Sequence, residues 1–471
     1  MISSSYSVFA QESPSSLKAK LENYVHSTDT IFKNQLVSDR AFNLFVQKKT
    51  SYYLTGASEI SLSKLYATYS SDKDKFNFGL NFTNKDDDKR LEWLFTPMLQ
   101  STIKSDFTTF YKKGAWESDI HLGFKVSYFP GGKISFNGMD RDDEQETKLI
   151  IRRNLELVKI LNSIDSTEIS NNERVAILKN NVQKSLDDIY RHTLIAHPND
   201  KKNDKEVKEK TKEYLEKLYS NQKQKLNSRI NDQSAKPKSE DEYKSQIAKA
   251  EVDALLEKGA YNSFWNYWIS VWGFYPIAKS QTYVASNNLQ NFETQKIDFW
   301  EANVQINGIL EINNCLSFYG FAGFKIFNNN TIGAGLLTSV DYYQYYQFPQ
   351  TNLSNLAVLE NNKGYIGDYK EFKTTNFNAQ LVISLSNTNE LGKERFCTPG
   401  VSMFIEKNTG HYSRLNLRFG APLRFRGKST PINIEPQIIL NDIKNYTKNE
   451  NHKVEPIIGI NVGLPFTALF K

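Results

Sequence analysis

The sequence predicts an antiparallel all-β membrane barrel of about twelve strands with an inserted α-helical region. Three observations predict it. Long segments alternate strictly between apolar and polar residues, as lipid-facing and lumen-facing positions must. The second face of each segment is rich in Asn, Gln, Arg and Gly, which a soluble sandwich would have to bury against its other sheet. No apolar run approaches the roughly 20 residues of a membrane helix. The longest candidate, Phe264 to Ile277, is interrupted by Asn266, Ser270 and Gly273. If the chain spans a membrane, it does so with strands.

The bulk numbers agree. A length of 471 residues suits either two or three soluble domains or one large barrel with insertions. Hydrophobic residues make up only 39%, yet there are 30 Phe and 25 Tyr. Few aliphatics with many aromatics fit an apolar outer wall, a polar interior and aromatic rims. The net charge of +6 is spread without a basic stripe, which argues against nucleic acid as a partner.

Taken in order, Val8-Phe9-Ala10 before Gln11 reads as the end of a secretory signal, so residues 1–10 are expected to be its remnant. Residues 11–71 form an N-terminal periplasmic or plug segment, with an amphipathic helix over Asp39 to Lys48. Residues 72–129 hold the first barrel strands. Phe76, Phe78, Leu80 and Phe82 alternate with Asn77, Gly79 and Asn81, and Trp93 to Ser105 follows. Ile120, Leu122, Phe124, Val126 and Tyr128 then alternate with His121, Gly123, Lys125 and Ser127.

Residues 130–262 switch to a helical period, with Leu149, Leu157, Val158, Ile160 and Leu161 on one face. Glu/Lys pairs at helical spacing follow over Lys205 to Ile230 and Glu240 to Leu256. This insertion reads either as a solvated helical bundle or as a binding region for a protein partner over 140–260.

Alternation returns over 263–471. Ala302, Val304, Ile306, Leu310 and Ile312 oppose Asn303, Gln305, Asn307 and Glu311. Leu316 to Ile326 follows, then an Asn328-Asn329-Asn330 turn, then Ile332, Ala334, Leu336 and Val340 as a further strand. Phe377 to Leu385, Val401 to Ile405, Leu415 to Phe425 and Ile432 to Leu440 continue the pattern. The last segment sets Ile458, Ile460, Val462, Leu464 and Phe466 against Gly459, Asn461, Gly463 and Pro465. An even strand number puts both termini on one side, the periplasm. The insertion, counted after the third strand, then falls on the opposite, outer side.

The terminal stretch resembles the last strand of bacterial outer-membrane β-barrel proteins, through Asn461, Gly463 and Phe466 of their assembly signal. Ala468 stands where that signal has its last aromatic, and Phe470 lies two residues beyond. The Ala10-Gln11 junction and the Asn/Lys/Tyr-rich style are similar to barrels of the Bacteroidota. The resemblance covers roughly 72–129 and 264–471 and is architectural. It implies a Gram-negative outer-membrane location, outer-membrane lipids around the wall and the barrel-assembly machinery as a folding partner.

Chemistry is sparse. No GxSxG, HExxH or phosphate-cradling loop occurs. His121 and Ser127 share a strand face about 20 Å apart at about 3.3 Å per residue, too far for a nucleophile and its base. His411 lies by a turn, and His192 and His197 are badly spaced for a metal. No metal and no cofactor are expected. Cys315 and Cys397 lack CxxC spacing, and their pairing is left open.

The lumen candidates are Arg414, Arg418 and Arg424 on one strand face, with Lys125 and Lys325 elsewhere. A ring of such cations would select anions. Glu406 and Glu435 face inward on the neighbouring strands, so cross-strand pairing is the plainer reading. Trp265, Trp268, Trp272, Phe466 and Phe470 are expected in the membrane-interface girdle.

The leading functional expectation is a porin-like transport pore for small polar solutes. The alternatives are a non-conducting barrel whose helical insertion binds a partner or ligand, and a rim-located lipid-modifying hydrolase.

Overall fold

The computed structural model describes residues 14–28, 37–51, 53, 62–70, 75–83, 88–102, 111–112, 115–116, 120–135, 149, 153, 156–157, 160, 239–256, 261–277, 280–285, 292–297, 299–313, 315–332, 334, 336–347, 356–385, 396–410, 413–425, 432–444 and 456–468. The expected signal remnant, Phe470 and most of the helical insertion lie outside them.

Two helices come first: α1 (Pro14–Thr28) and α2 (Asp39–Ser51). The strands are β1 (Ser63–Ser70), β2 (Lys75–Leu80) and its continuation β3 (Phe82–Thr83), β4 (Trp93–Thr102), β5 (Tyr111–Lys112), β6 (Ala115–Trp116) and β7 (Ile120–Ser135). Helix α3 (Glu240–Leu255) then precedes β8 (Ser263–Pro276), β9 (Ser280–Ala285), β10 (Glu293–Ile297), β11 (Glu301–Ile312), β12 (Leu316–Asn330), β13 (Thr338–Gln347) and β14 (Leu356–Ile366). The chain continues through β15 (Glu371–Leu385), β16 (Cys397–Gly410), β17 (Arg414–Gly420), its continuation β18 (Leu423–Phe425), β19 (Ile432–Leu440) and β20 (Pro456–Ala468).

Twelve antiparallel staves close a barrel. The closing seam joins the first stave to the last: Tyr66 lies opposite Pro465 and Ser70 opposite Asn461. Closure gives every edge a partner, which an open sheet in lipid could not find. β9, β10, β13 and β14 stand apart. They form a separate sheet in the order β10-β9-β14-β13, joined by a parallel β9–β14 pair. It is carried by the β8–β11 and β12–β15 connections, at the end away from the termini. Among the described residues, no helix is long and apolar enough to cross a membrane.

The stave number agrees with the sequence pattern, but the membership does not. β1 lies within 11–71, the segment expected to be periplasmic or plug. The expected stave over Ile332 to Val340 is not among the barrel staves. Its last residues, Thr338 to Val340, open β13, which belongs to the separate four-stranded sheet. The Asn328-Asn329-Asn330 run is the tail of β12, in register with Glu371 to Lys373. One missed stave and one extra stave cancel.

The cancellation matters for parity. The helical insertion leaves the fourth stave, β7, not the third. It therefore lies at the end that holds both termini, opposite to where the sequence count put it.

The wall follows its two-residue period. Ile306, Val304, Leu381, Met403, Phe419, Ile438 and Ile460 point outward and are exposed. Asn303, Gln305, Asn307, Gln380, Ser402, Gln437 and Asn461 point inward and are buried. Near the terminal end the outer wall carries aromatics. Trp93 packs on Tyr128 with centroids 4.6 Å apart, and Trp265 stacks with Tyr267 at 5.9 Å.

Some inward positions must be empty for a neighbour to fit. Gly79 faces the ring of Tyr66, and a Cβ there would lie 2.4 Å from it. Gly79→Val is expected to cost about 1–3 kcal/mol. Most of that loss should disappear in the Gly79→Val/Tyr66→Ala pair. Denaturant unfolding of the four-member cycle in lipid vesicles is the check, and additive losses would mean the ring simply swings aside.

Candidate functional site

The site is the lumen, and its lower mouth is filled by α2. The helix starts at Ser38, whose hydroxyl accepts from the Ala41 N–H at 3.2 Å, an N-cap bond. Phe42 and Phe45 lie on one side of it. Phe45 meets Phe264 edge-on at 4.9 Å and Tyr261 at 5.6 Å. Its polar side chains are buried as well. Asn43 donates to the Lys89 carbonyl at 2.8 Å and accepts from the Leu91 N–H at 2.9 Å. A helix buried on polar and apolar sides alike is enclosed, not resting on a surface.

One link between plug and wall is a buried ion pair. Lys49 Nζ lies 2.7 Å from Glu311 Oε1, with both side chains almost wholly buried. The Tyr261 hydroxyl donates to the same carboxylate oxygen at 2.9 Å. Burial pushes the Lys49 ammonium down from its ordinary pKa, while Glu311 pulls it back up. Burial and Glu311 together push the Tyr261 phenol well up. Further along, Asn433 donates to the Ser51 carbonyl at 2.8 Å. Tyr53 reaches Ser317 and stacks on Tyr319 at 4.9 Å.

Below α2 lie α3 and the helical residues Leu149, Arg153, Leu157 and Ile160. Ser239 opens α3 with a capping box to Glu242. Arg153 Nη1 pairs with Glu251 Oε1 at 2.9 Å, both fully buried, and Ser38 donates to the same carboxylate. Arg40 donates to Ser245 Oγ and the Asp241 carbonyl, each at 2.8 Å, and pairs with Asp88 at 2.9 Å. Burial opposes the Arg40 charge, but Asp241 and Asp88 outweigh it and raise its pKa. α1 packs on α3, with Leu21, Val25, Tyr243 and Ile247 in a core of their own. The terminal end is therefore capped by a helical body whose innermost member is α2.

Above the plug the lumen has two zones. Next to α2, inward aromatics cross the wall in succession. Phe129 stacks on Trp268 at 5.5 Å, Trp268 on Tyr319 at 6.4 Å, and Tyr319 leads to Phe321 and then Phe404. Farther from the termini the inward groups are amides, hydroxyls and paired charges. Gln100 donates to Asn77 at 2.9 Å and Gln305 to Asn307 at 2.7 Å.

All the lumen charges named from sequence face inward. Arg418 lies 3.7 Å from Glu406 and 4.8 Å from the Phe404 centroid. Glu406 also accepts from Asn376 at 3.0 Å and Asn416 at 3.3 Å. Glu435 accepts from Ser402 in space that Gly420 leaves open. Lys325 pairs with Glu301. Lys125 lies 5.8 Å from the Tyr66 centroid, Arg414 donates to the Ala334 carbonyl at 3.0 Å, and Arg424 lies over Tyr53. Arg418–Glu406 and Lys325–Glu301 are pairings of the kind that competes with anion selection.

The girdle residues divide. Trp265 and Phe466 are on the outer wall. Trp268 and Trp272 are corrected: both share the inward face of β8, and Trp268 is 2% exposed. Within one strand, residues an odd number apart point opposite ways, so Trp265 and Trp268 could not share a face. That period was the available signal for Trp268. His121 packs edge-on against Phe299, and Ser127 bonds Ser270 at 2.7 Å. His411, His192, His197 and His452 lie outside the described residues. Cys315 and Cys397 are both free thiols.

No family model matches the chain, and no curated protein is similar to it. Among solved structures, it is similar to the β domain of the Bordetella autotransporter Brka, at 6% identity over 85% of this chain and 94% of that one, with a TM-score of 0.29. It is likewise similar to OmpT, an outer membrane protein of Vibrio cholerae, at 7% identity over 85% and 93%, with a TM-score of 0.21. Superpositions this loose carry no weight, and the functional reading rests on the chain's own geometry.

Removing one partner of the Lys49–Glu311 pair leaves a buried charge. Lys49→Met should destabilise the plug by about 3–5 kcal/mol. Lys49→Met/Glu311→Gln should recover most of that. The readout is protease cleavage between α2 and β1, compared across the three proteins. Equal cleavage in all of them would show that the pair does not hold the helix.

Proposed function

We propose that this chain is a bacterial outer-membrane barrel with both termini periplasmic, shut at its periplasmic mouth by α2 and passing small polar solutes when that plug is displaced. The observation that carries the proposal is α2 seated among inward residues of β8, β11 and β19, on a barrel whose upper lumen is lined with amides. The outer wall supports the membrane part. Ile306, Val304, Met403 and Ile438 are each about half exposed, a continuous greasy belt that lipid, not water, would tolerate. The helical region packs under α2, so whatever binds that region also bears on the plug. A non-conducting barrel that serves only as a partner scaffold is the competing reading, supported by the filled lower lumen.

Helices α1 and α2 both precede β1, so a protein beginning at Leu62 loses the plug and keeps every stave. In planar bilayers the intact chain should be silent, and the shortened one should conduct. Circular dichroism and heat-shifted gel mobility verify that the shortened barrel is folded. Equal conductance from both would refute the plug. Silence from a folded, shortened barrel would leave the scaffold reading standing.

Membrane insertion has its own test. Ile306→Arg, mid-stave and outward, should cost about 2–4 kcal/mol in vesicles. An exposed site in water would lose less than about 0.5 kcal/mol.

A further inference from the structure

The seat of Tyr53 is built like a ligand site. Tyr53 lies just past α2 and is 4% exposed. Its ring stacks on Tyr319 of β12, with centroids 4.9 Å apart and planes inclined at 29°. The Arg424 guanidinium carbon, on β18, sits 4.1 Å from the same ring's centroid. The phenol oxygen is bonded to Ser317 and lies 3.4 Å from Ser384 Oγ. Four groups from three staves thus converge on one side chain that belongs to none of them. Aromatic stacking holds the ring plane, the cation lies against the π-face, and two serines address the hydroxyl.

We propose that Ser317, Tyr319, Ser384 and Arg424 form a binding site for a planar ring bearing a phenolic hydroxyl, occupied in the closed barrel by the plug's own Tyr53. The inference rests on the plugged-barrel reading for its role in the closed state. The seat itself lies in the wall and is separately measurable. Tyr319 continues from the seat into the aromatic file of Trp268 and Phe321. Such a ligand competes with Tyr53, and each ring it seats displaces one anchor of the plug.

Tyr53→Ala empties the seat without altering the wall. The probe is p-cresol, whose ring and hydroxyl match the tyrosine side chain, with toluene as its counterpart lacking the hydroxyl. Binding is followed by titration calorimetry in detergent micelles, and the unaltered protein supplies the background of partition into micelle and barrel. Saturable one-to-one binding of p-cresol is expected for Tyr53→Ala above that background. Toluene should bind about 2–10-fold more weakly, the worth of one net hydrogen bond. That preference should vanish in Tyr53→Ala/Ser317→Ala/Ser384→Ala.

No excess p-cresol binding by Tyr53→Ala would overturn the site. Equal affinity for the two probes would overturn hydroxyl recognition. In a last arm, p-cresol should increase protease cleavage between α2 and β1 in the unaltered protein, and an unchanged cleavage rate would overturn competition with the plug. None of these readouts needs the barrel to conduct, so a silent barrel with a working seat and a conducting barrel without one are distinguishable.

Discussion

The rest of the structure depends on the pairing of β1 with β20. Their backbone bonds turn an open sheet into a closed one, and an open sheet cannot stand in lipid because its edge groups find no partners there. Closure also fixes geometry. An even number of antiparallel staves returns the chain to the end where it began. The segment before β1 therefore enters the barrel at the same mouth where β20 ends. A helix placed just upstream of β1 is held over that mouth by a short connection, whatever its own affinity for the lumen.

What the helix finds there decides how tightly the mouth shuts. A twelve-stave wall encloses more space than its own short inward side chains can fill. Near the termini the wall fills part of that space with Phe129, Trp268, Tyr319, Phe321 and Phe404, and α2 fills the rest. Farther up, amides bond one another and carboxylates pair with Arg418 and Lys325, so the wall satisfies itself without a guest. The lumen is thus a packed core at one end and a polar hydrogen-bonded lining at the other. Apolar burial attaches the plug; polar pairing keeps the upper wall in register.

This division explains what could be read from the chain. The outward face was legible because lipid demands apolar groups at every second position, so Val304–Ile306 and Ile458–Ile460 repeat without exception. The inward face was legible only where it was polar. Arg418 and Glu406 lie on the inward faces of adjacent staves, two residues apart in register, and alternation already implies the shared face. Trp268 looks like a rim aromatic by residue type, and only the two-residue period of β8 sets it on the face opposite Trp265. β1 escaped for a related reason: Tyr66 faces the lumen and Tyr69 the outer wall, so its two faces look alike in composition. Lys49 and Glu311 stand 262 positions apart, and nothing local in either segment announces the other.

The chemistry of that pair bears on why the plug is a helix of mixed character. Two apolar residues of the same size would seat α2 at least as firmly, since taking charges out of water costs several kcal/mol per ion before attraction repays it. A wholly apolar plug, however, would be committed: outside the lumen it would expose a greasy surface and aggregate. Arg40, Asn43, Gln47 and Lys49 give α2 groups that water also satisfies, while Phe42, Phe45 and Val46 give it reason to stay. The free-energy difference between seated and unseated is thereby kept smaller than the buried area alone implies. Lys49 contributes to this, for its burial cost disappears on leaving and its attraction to Glu311 disappears with it. In the proposed pore, a plug held by opposing terms of similar size would respond to small changes in any one of them, and the helical body packed beneath α2 would be the place to supply such a change.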